Sequence, residues 1–343
     1  MRRLWPLVVA LSACSSSTVA VTASSTASTP PVANTATSGP TTTGLPTSAA
    51  TAGLPTTVLP TTTFAPAPFR VAAAGDIACD PGDGGFHGGA GNSATCAATA
   101  TADLIDRLAP DAVLALGDLQ YDDGAPKKYA ASYAPTWGRF ESITYPTPGN
   151  HDYGTGDLAG YRGQFGSRAG PPDTTWYSAA LGPWRLVVLD ANCGAVGCSA
   201  GTPQAVWLDA EMAAHPDVCT IAIWHQPRFS SGWHGDDTAM QTLWAVLADH
   251  HVDVVLQGHD HDYERFDPLD RDGQPTANGI RSFVVGTGGA GLRPFGAPRP
   301  GSVVRDWATH GVLMLTLTTG HYDWRFEPVP GETFTDAGSG VCG

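Results

Sequence analysis

Past residue 68 the chain alternates between short apolar runs and amphipathic stretches. Runs at 70–74, 112–116, 184–189, 220–224 and 252–257 are bounded by glycine, proline or polar residues. Apolar runs of that length between turn signals predict buried strands. Two more strands are expected, at 282–285 and across 311–326, the latter a hairpin turning at Thr319-Gly320. Between 94 and 108, Ala97, Ala100, Leu104, Ile105 and Leu108 recur at helical spacing. That predicts a crossover helix and, with the first two runs, a right-handed βαβ unit. Residues 129–143 carry Tyr129, Tyr133, Trp137 and Phe140 at helix-like spacing and read as core. Thr202 is placed to cap a helix with Pro203 in its first turn and Trp207, Leu208 and Met212 on one face. Residues 236–251 predict another helix, whose terminal His250 and His251 suit the helix dipole. Residues 153–175 read as a polar loop. Strands and helices in alternation predict an α/β domain.

Composition divides the chain unevenly. Residues 1–14 have a basic start, a short apolar core and a small-residue end, the pattern of an export signal and too short for a membrane-spanning helix. Leu11-Ser12-Ala13-Cys14 resembles a bacterial lipobox, which predicts cleavage before Cys14 and lipidation of its thiol at the cell surface. The alternative is an ordinary signal peptide with an incidental cysteine. Residues 15–68 hold no Asp, Glu, Lys or Arg and consist mainly of Thr, Ser, Ala and Pro, so a disordered tether is expected. Residues 69–343 then form one domain, with 16 basic and 32 acidic residues. Such acidity argues against nucleic acid as a partner. Membrane contact is expected only through the lipid, and the oligomeric state stays open. Six cysteines remain beside Cys14. Proximity pairs Cys79 with Cys96 and Cys193 with Cys198, leaving Cys219 for Cys342, as suits an exported protein. Their spacing matches no zinc site.

The polar tips of the predicted strands carry the chemistry. Asp76 follows the first run and Asp118 the second, with Tyr121 three residues on. Gly149-Asn150-His151-Asp152 follows the Tyr145-Pro-Thr-Pro148 segment. His225 closes the run at 220–224, and Gly258-His259-Asp260-His261 closes the run at 252–257. Open α/β sheets keep their ligand sites at the carboxyl ends of strands. Oxygen and nitrogen donors without sulfur suit a pair of hard to borderline cations. A carboxylate such as Asp118 can bridge two of them, and a phenol such as Tyr121 favours Fe(III). Two cations ~3.5–4 Å apart would clamp a phosphoryl group. His87 is read as a solvated loop residue, and His310 and His321 as structural.

In this order the tips resemble the calcineurin-like metallophosphoesterases and, within them, the purple acid phosphatases. The matching motifs are Gly75-Asp76, Gly117-Asp118 to Tyr121, Gly149-Asn150-His151-Asp152, Trp224-His225 and Gly258-His259-Asp260-His261, continuing as Asp262-Tyr263-Glu264-Arg265. The resemblance covers residues 69–343 and implies a four-layer αββα sandwich of two mixed sheets flanked by helices. It implies that Asp76, Asp118, Tyr121 and His261 hold a ferric ion, and that Asp118, Asn150, His225 and His259 hold a divalent ion (Zn, Mn or Fe). His151 would contact the phosphate, with Asp152 fixing its tautomer. His234 would aid the leaving group, the alternative being a surface-loop histidine. The implied activity is hydrolysis of small phosphomonoesters by a metal-bound hydroxide. Three alternatives stay open: a phosphodiesterase of the same superfamily, a non-catalytic surface-binding lipoprotein, and a colourless enzyme in which Tyr121 does not coordinate. Arg228 is either a phosphate contact or part of a surface ion pair. The tether stands where plant-type members carry a β-sandwich, so substrate preference does not transfer.

Overall fold

The computed structural model of the chain describes residues 67–342 except Ser93 and Asp217. Residues 1–66, which include Cys14 and nearly all of the expected tether, lie outside the described residues. One six-stranded sheet contains β1 (Phe69–Ala74), β2 (Ala112–Leu116), β3 (Thr144–Thr147), β11 (Gly311–Thr318), β12 (His321–Pro328) and β13 (Ala337–Val341), in the order β13-β12-β11-β1-β2-β3. A seven-stranded sheet contains β4 (Tyr177–Leu181), β5 (Trp184–Val188), β6 (Thr220–Ile223), β7 (Val254–Gln257), β8 (Tyr263–Phe266), β9 (Arg281–Val285) and β10 (Ser302–Asp306), in the order β10-β8-β9-β7-β6-β5-β4. Each sheet is mixed. β1, β2 and β3 run parallel beside antiparallel β11 to β13. β5, β6, β7 and β9 run parallel between antiparallel edges. This is the expected pair of mixed sheets.

Residue alternation explains the layering. Successive side chains of a strand face opposite sides of the sheet. Leu186, Val188, Ile221, Ile223, Val254 and Leu256 join the core shared with β1, β2 and β11. The intervening Val187, Ala222 and Val255 join a second core with Leu208, Leu243 and Trp244. Those last three belong to helices Pro203–Ala213 and Gln241–Asp249, which cover the outer face of that sheet. Helix Ala98–Leu108 packs beside β11 and buries Ala98, Ala102, Leu104 and Ile105. No helix among the described residues is long and apolar enough to cross a membrane.

Several elements differ from the reading of the sequence. The crossover helix starts at Ala98 rather than residue 94, because the Asn92 side chain accepts from the backbone N–H groups of Ala94, Thr95 and Cys96 and holds them in a turn. The stretch 129–143 breaks into a π-turn at Tyr129–Tyr133 and a 3-10 segment at Trp137–Ile143, although its aromatics are buried as expected. Residues 153–175 contain helix Ala159–Phe165. Gly160 masks it in the sequence, yet a Cβ there would lie 1.9 Å from the Gly124 carbonyl, so glycine is what lets the helix pack. Thr202 precedes its helix without a side-chain cap: its hydroxyl donates to the carbonyls of Gly197 and Ser199. The cap lies instead at Asp237, which accepts from Ala239 N–H ahead of Gln241–Asp249.

The three disulfides are Cys79–Cys96, Cys193–Cys198 and Cys219–Cys342, as expected. The last joins residues 123 apart and ties β13 to the start of β6. Replacing both Cys219 and Cys342 by Ala is expected to destabilise the fold by up to ~5 kcal/mol on the loop-entropy treatment. Denaturant midpoints give the loss, and amide exchange should rise first in β13.

Candidate metal centre

The carboxyl ends of β1, β2, β6 and β7 meet at one end of the sandwich. Backbone pairing continues past the strands: Asp76 N–H donates to the Gly117 carbonyl at 2.9 Å, and Gly258 N–H to the His225 carbonyl at 3.0 Å. The two sheets are also joined here, since Gly75 N–H donates to the Val285 carbonyl at 2.9 Å. So close an approach excludes side chains. A Cβ on Gly117 would lie 2.5 Å from the His225 ring, and one on Gly149 would lie 2.2 Å from both Asp118 N and Oδ1. Asp76 (φ 59°), Asp118 (φ 47°) and His259 (φ 71°) adopt left-handed backbone conformations. Such strain costs of order 1–3 kcal/mol per residue and clusters at functional sites.

Within this frame the Tyr121 hydroxyl lies 2.8 Å from Asp76 Oδ1, 3.2 Å from Asp118 Oδ2 and 2.9 Å from His261 Nε2. On the other side of Asp118, ligand atoms of Asp118, His225 and His259 all lie within 4.8 Å of one another. His225 Nε2 is buried, 3.1 Å from Asp118 Oδ2, and makes no hydrogen bond. Backbone carbonyls fix the ring orientations. His225 Nδ1–H donates to Leu116 O at 2.7 Å and His261 Nδ1–H to Gly291 O at 2.8 Å, leaving each Nε2 for the site. Outer bonds of this kind orient metal-ligating histidines. Two buried carboxylates, a phenol and three imidazoles, with an unsatisfied nitrogen among them, fit two cations that share Asp118.

The charges agree. Burial alone would raise Asp118, but His225 and His151 together outweigh it and hold the carboxylate far below its usual range. Asp76 is likewise lowered, with His261 and His225 overcoming burial. Burial disfavours a charged His225, and Asp118 more than reverses this, to about 9. His259 is pushed down to about 3 by burial and by the charges of His225 and His234, which leaves it neutral and ready to ligate. Burial, then Asp118 and Asp76, push the Tyr121 phenol well up, so the described residues around it favour the neutral phenol.

The remaining expected residues surround this group. His151 N–H donates to Asp118 Oδ1 at 2.8 Å, and its ring lies 4.5 Å from that of Tyr121. The His151 tautomer is set by the Asp122 carbonyl, which accepts from Nδ1–H at 2.5 Å. Asp152 was expected in that role. It is fully buried and instead accepts from the N–H groups of Leu119 and Gly149 and from the Tyr129 hydroxyl, locking the β2 and β3 loops together. Asn150 is exposed, held between the anchored backbones of Gly149 and His151. His234 stacks on His259 with ring centroids 4.1 Å apart, and both its backbone N–H and Nδ1 bond Asp260 Oδ1. Arg228 stands in the ion-pair alternative: Nε donates to Gln241, Nη1 faces Asp236 at 3.6 Å, and the guanidinium stacks on Phe229. Sequence reasoning passed over Asp260, the unnamed position of Gly-His-x-His, and Arg293, whose Nη1 donates to His234 Nε2 at 3.1 Å.

A family profile described as calcineurin-like phosphoesterase matches residues 69–263. The chain belongs to that family. Among relatives of this chain, purple acid phosphatase 1 of Ipomoea batatas is 30% identical over 177 residues, covering 45% of this chain and 36% of that protein. The purple acid phosphatase of Glycine max is 27% identical over 252 residues, covering 62% and 53%. The first curated relatives are spanned over only 36% to 40% of their own length. The solved purple acid phosphatase PPD1 from yellow lupin (Lupinus luteus) seeds shares the fold, with a TM-score of 0.60 at 22% identity over 80% of this chain and 53% of that one.

Gly149→Ala isolates the tight approach of the β2 and β3 loops. The added methyl must displace the Asp118 carboxylate, so the variant should keep its secondary structure but hold less than half the metal of the native chain. Circular dichroism and elemental analysis together check this.

Proposed function

We propose that the chain is an exported, lipid-anchored phosphatase that removes phosphate from small phosphomonoesters at a two-metal centre. The observation that carries this reading is the placement of Asp118 between two donor groups, Tyr121 with Asp76 and His261 on one side and His225 with His259 on the other. Asn150 would complete the second group. Fe(III) beside Tyr121 and Zn, Mn or Fe(II) beside His225 would neutralise phosphate oxygens and supply an acidified water as nucleophile. His151, anchored through Nδ1, presents Nε2 toward a phosphate oxygen. His234, anchored by Asp260, serves the leaving group. Three disulfides suit an oxidising compartment and support export through the leader and Cys14.

The test uses the full chain purified without chelator and assayed with p-nitrophenyl phosphate and bis(p-nitrophenyl) phosphate. The expected result is about two metals per chain, a broad visible band lost in Tyr121→Phe, and monoester turnover well above diester turnover. His234→Ala should retain the metals and slow turnover by ~10²-fold or more. Preference for the diester would turn the reading into a phosphodiesterase. Two metals without turnover of either ester would leave a binding lipoprotein.

A further inference from the structure

A cleft of about 240 Å3 opens over the centre, lined by Tyr121, His151, His261 and Arg293 together with Asp80 and Asp122. Arg293 stands out among the cations. Its backbone N–H donates to the His261 carbonyl at 2.9 Å, which fixes its position beside the ferric-side ligands. Its Nη1 reaches across to His234 Nε2 at 3.1 Å, and His234 in turn stacks on His259 of the other donor group. The guanidinium therefore extends between the two halves of the centre. Arg228, Arg265 and Arg299 are each neutralised by Asp236 or Asp336. Among the described residues Arg293 pairs with no carboxylate, and Nη1 is its one guanidinium nitrogen with a hydrogen bond. A guanidinium carries five N–H donors in a planar fork that matches phosphate oxygens.

We propose that Arg293 is a direct contact of the substrate phosphate, a positive charge held beside His234 in the cleft that His151 also lines. This rests on the phosphoesterase reading of the same centre. In the substrate-free protein His234 Nε2 accepts from the guanidinium. An arriving phosphate dianion offers a charged acceptor, and charge-assisted bonds of this kind are roughly twice as strong as neutral ones. The same residue gives selectivity for the anionic end of the substrate and adds affinity for released inorganic phosphate. Arg228, which the sequence offered for this role, is committed elsewhere.

Calorimetric titration of the metal-loaded full chain with inorganic phosphate tests this without relying on turnover. Arg293→Ala should weaken phosphate binding about tenfold or more, with metal content and thermal midpoint unchanged. Arg293→Lys should recover part of the loss. The distal surface variant Arg139→Ala should bind as the native chain does. In a His234→Ala background, Arg293→Ala should still weaken binding. Unchanged phosphate affinity in Arg293→Ala would overturn the proposal, and so would a loss that disappears in the His234→Ala background, since Arg293 would then act through His234. A chain that binds phosphate through Arg293 yet turns over no ester would remove the phosphatase reading and leave this contact standing. Turnover with phosphate affinity independent of Arg293 would do the reverse.

Discussion

The structure depends on how closely the two sheets approach at the carboxyl ends of their parallel strands. Gly75 of the first sheet is hydrogen-bonded to Val285 of the second, and Gly288 N–H donates back to the Gly75 carbonyl at 2.9 Å. This contact draws Asp76 and Asp118 toward His225, His259 and His261, which leave the other sheet. It also explains the glycines before Asp118 and His259. Gly117 faces the His225 ring and Gly258 faces the Asp76 carboxylate, at distances that leave no room for a Cβ. The recurring glycine-plus-ligand motif is thus the imprint of sheet spacing, and the left-handed Asp76, Asp118 and His259 are its conformational cost.

Electrostatics depends on the same approach. Two carboxylates are buried together, and without cations the burden of balancing them falls on His225, whose imidazole is held charged up to about 9. A bound cation would take over that role and free the imidazole to serve as a ligand. Around the ligands lies a layer of positional bonds: carbonyls of Leu116, Gly291 and Asp122 hold three histidines, Asp260 holds a fourth, and Asp152 binds the loops to each other. Preorganised donors of this sort need no rearrangement when charge develops on a substrate.

The strand tips were legible because Asp76, Asp118, His225 and His259 each follow a run whose apolar length marks it as buried. β2, β6 and β7 appear where those runs stand, and their final polar residues converge. What stayed hidden arises from tertiary contact. Strand β8 and the edge strands β10 and β13 carry charges or glycines whose partners, such as Asp336 for Arg265, lie far along the chain. Helix Ala159–Phe165 is disguised by Gly160, which its packing requires. Asp260 reads as a spacer between two histidines until the loop carrying His234 folds onto it. Arg228 sits near a ligand in sequence and is drawn off by Asp236 and Gln241, whereas Arg293, 32 residues after His261, comes back to the centre.

The central claim is that Asp118 lies between two metal ions at the sheet junction. Anomalous diffraction at the iron and zinc absorption edges, on crystals of the protein purified without chelator, tests it most directly. The account predicts two peaks ~3.5–4 Å apart, with an Asp118 oxygen between them, iron on the Tyr121 side and the divalent ion on the His225 side. A single peak, or a pair that leaves Asp118 outside the bridge, would contradict it.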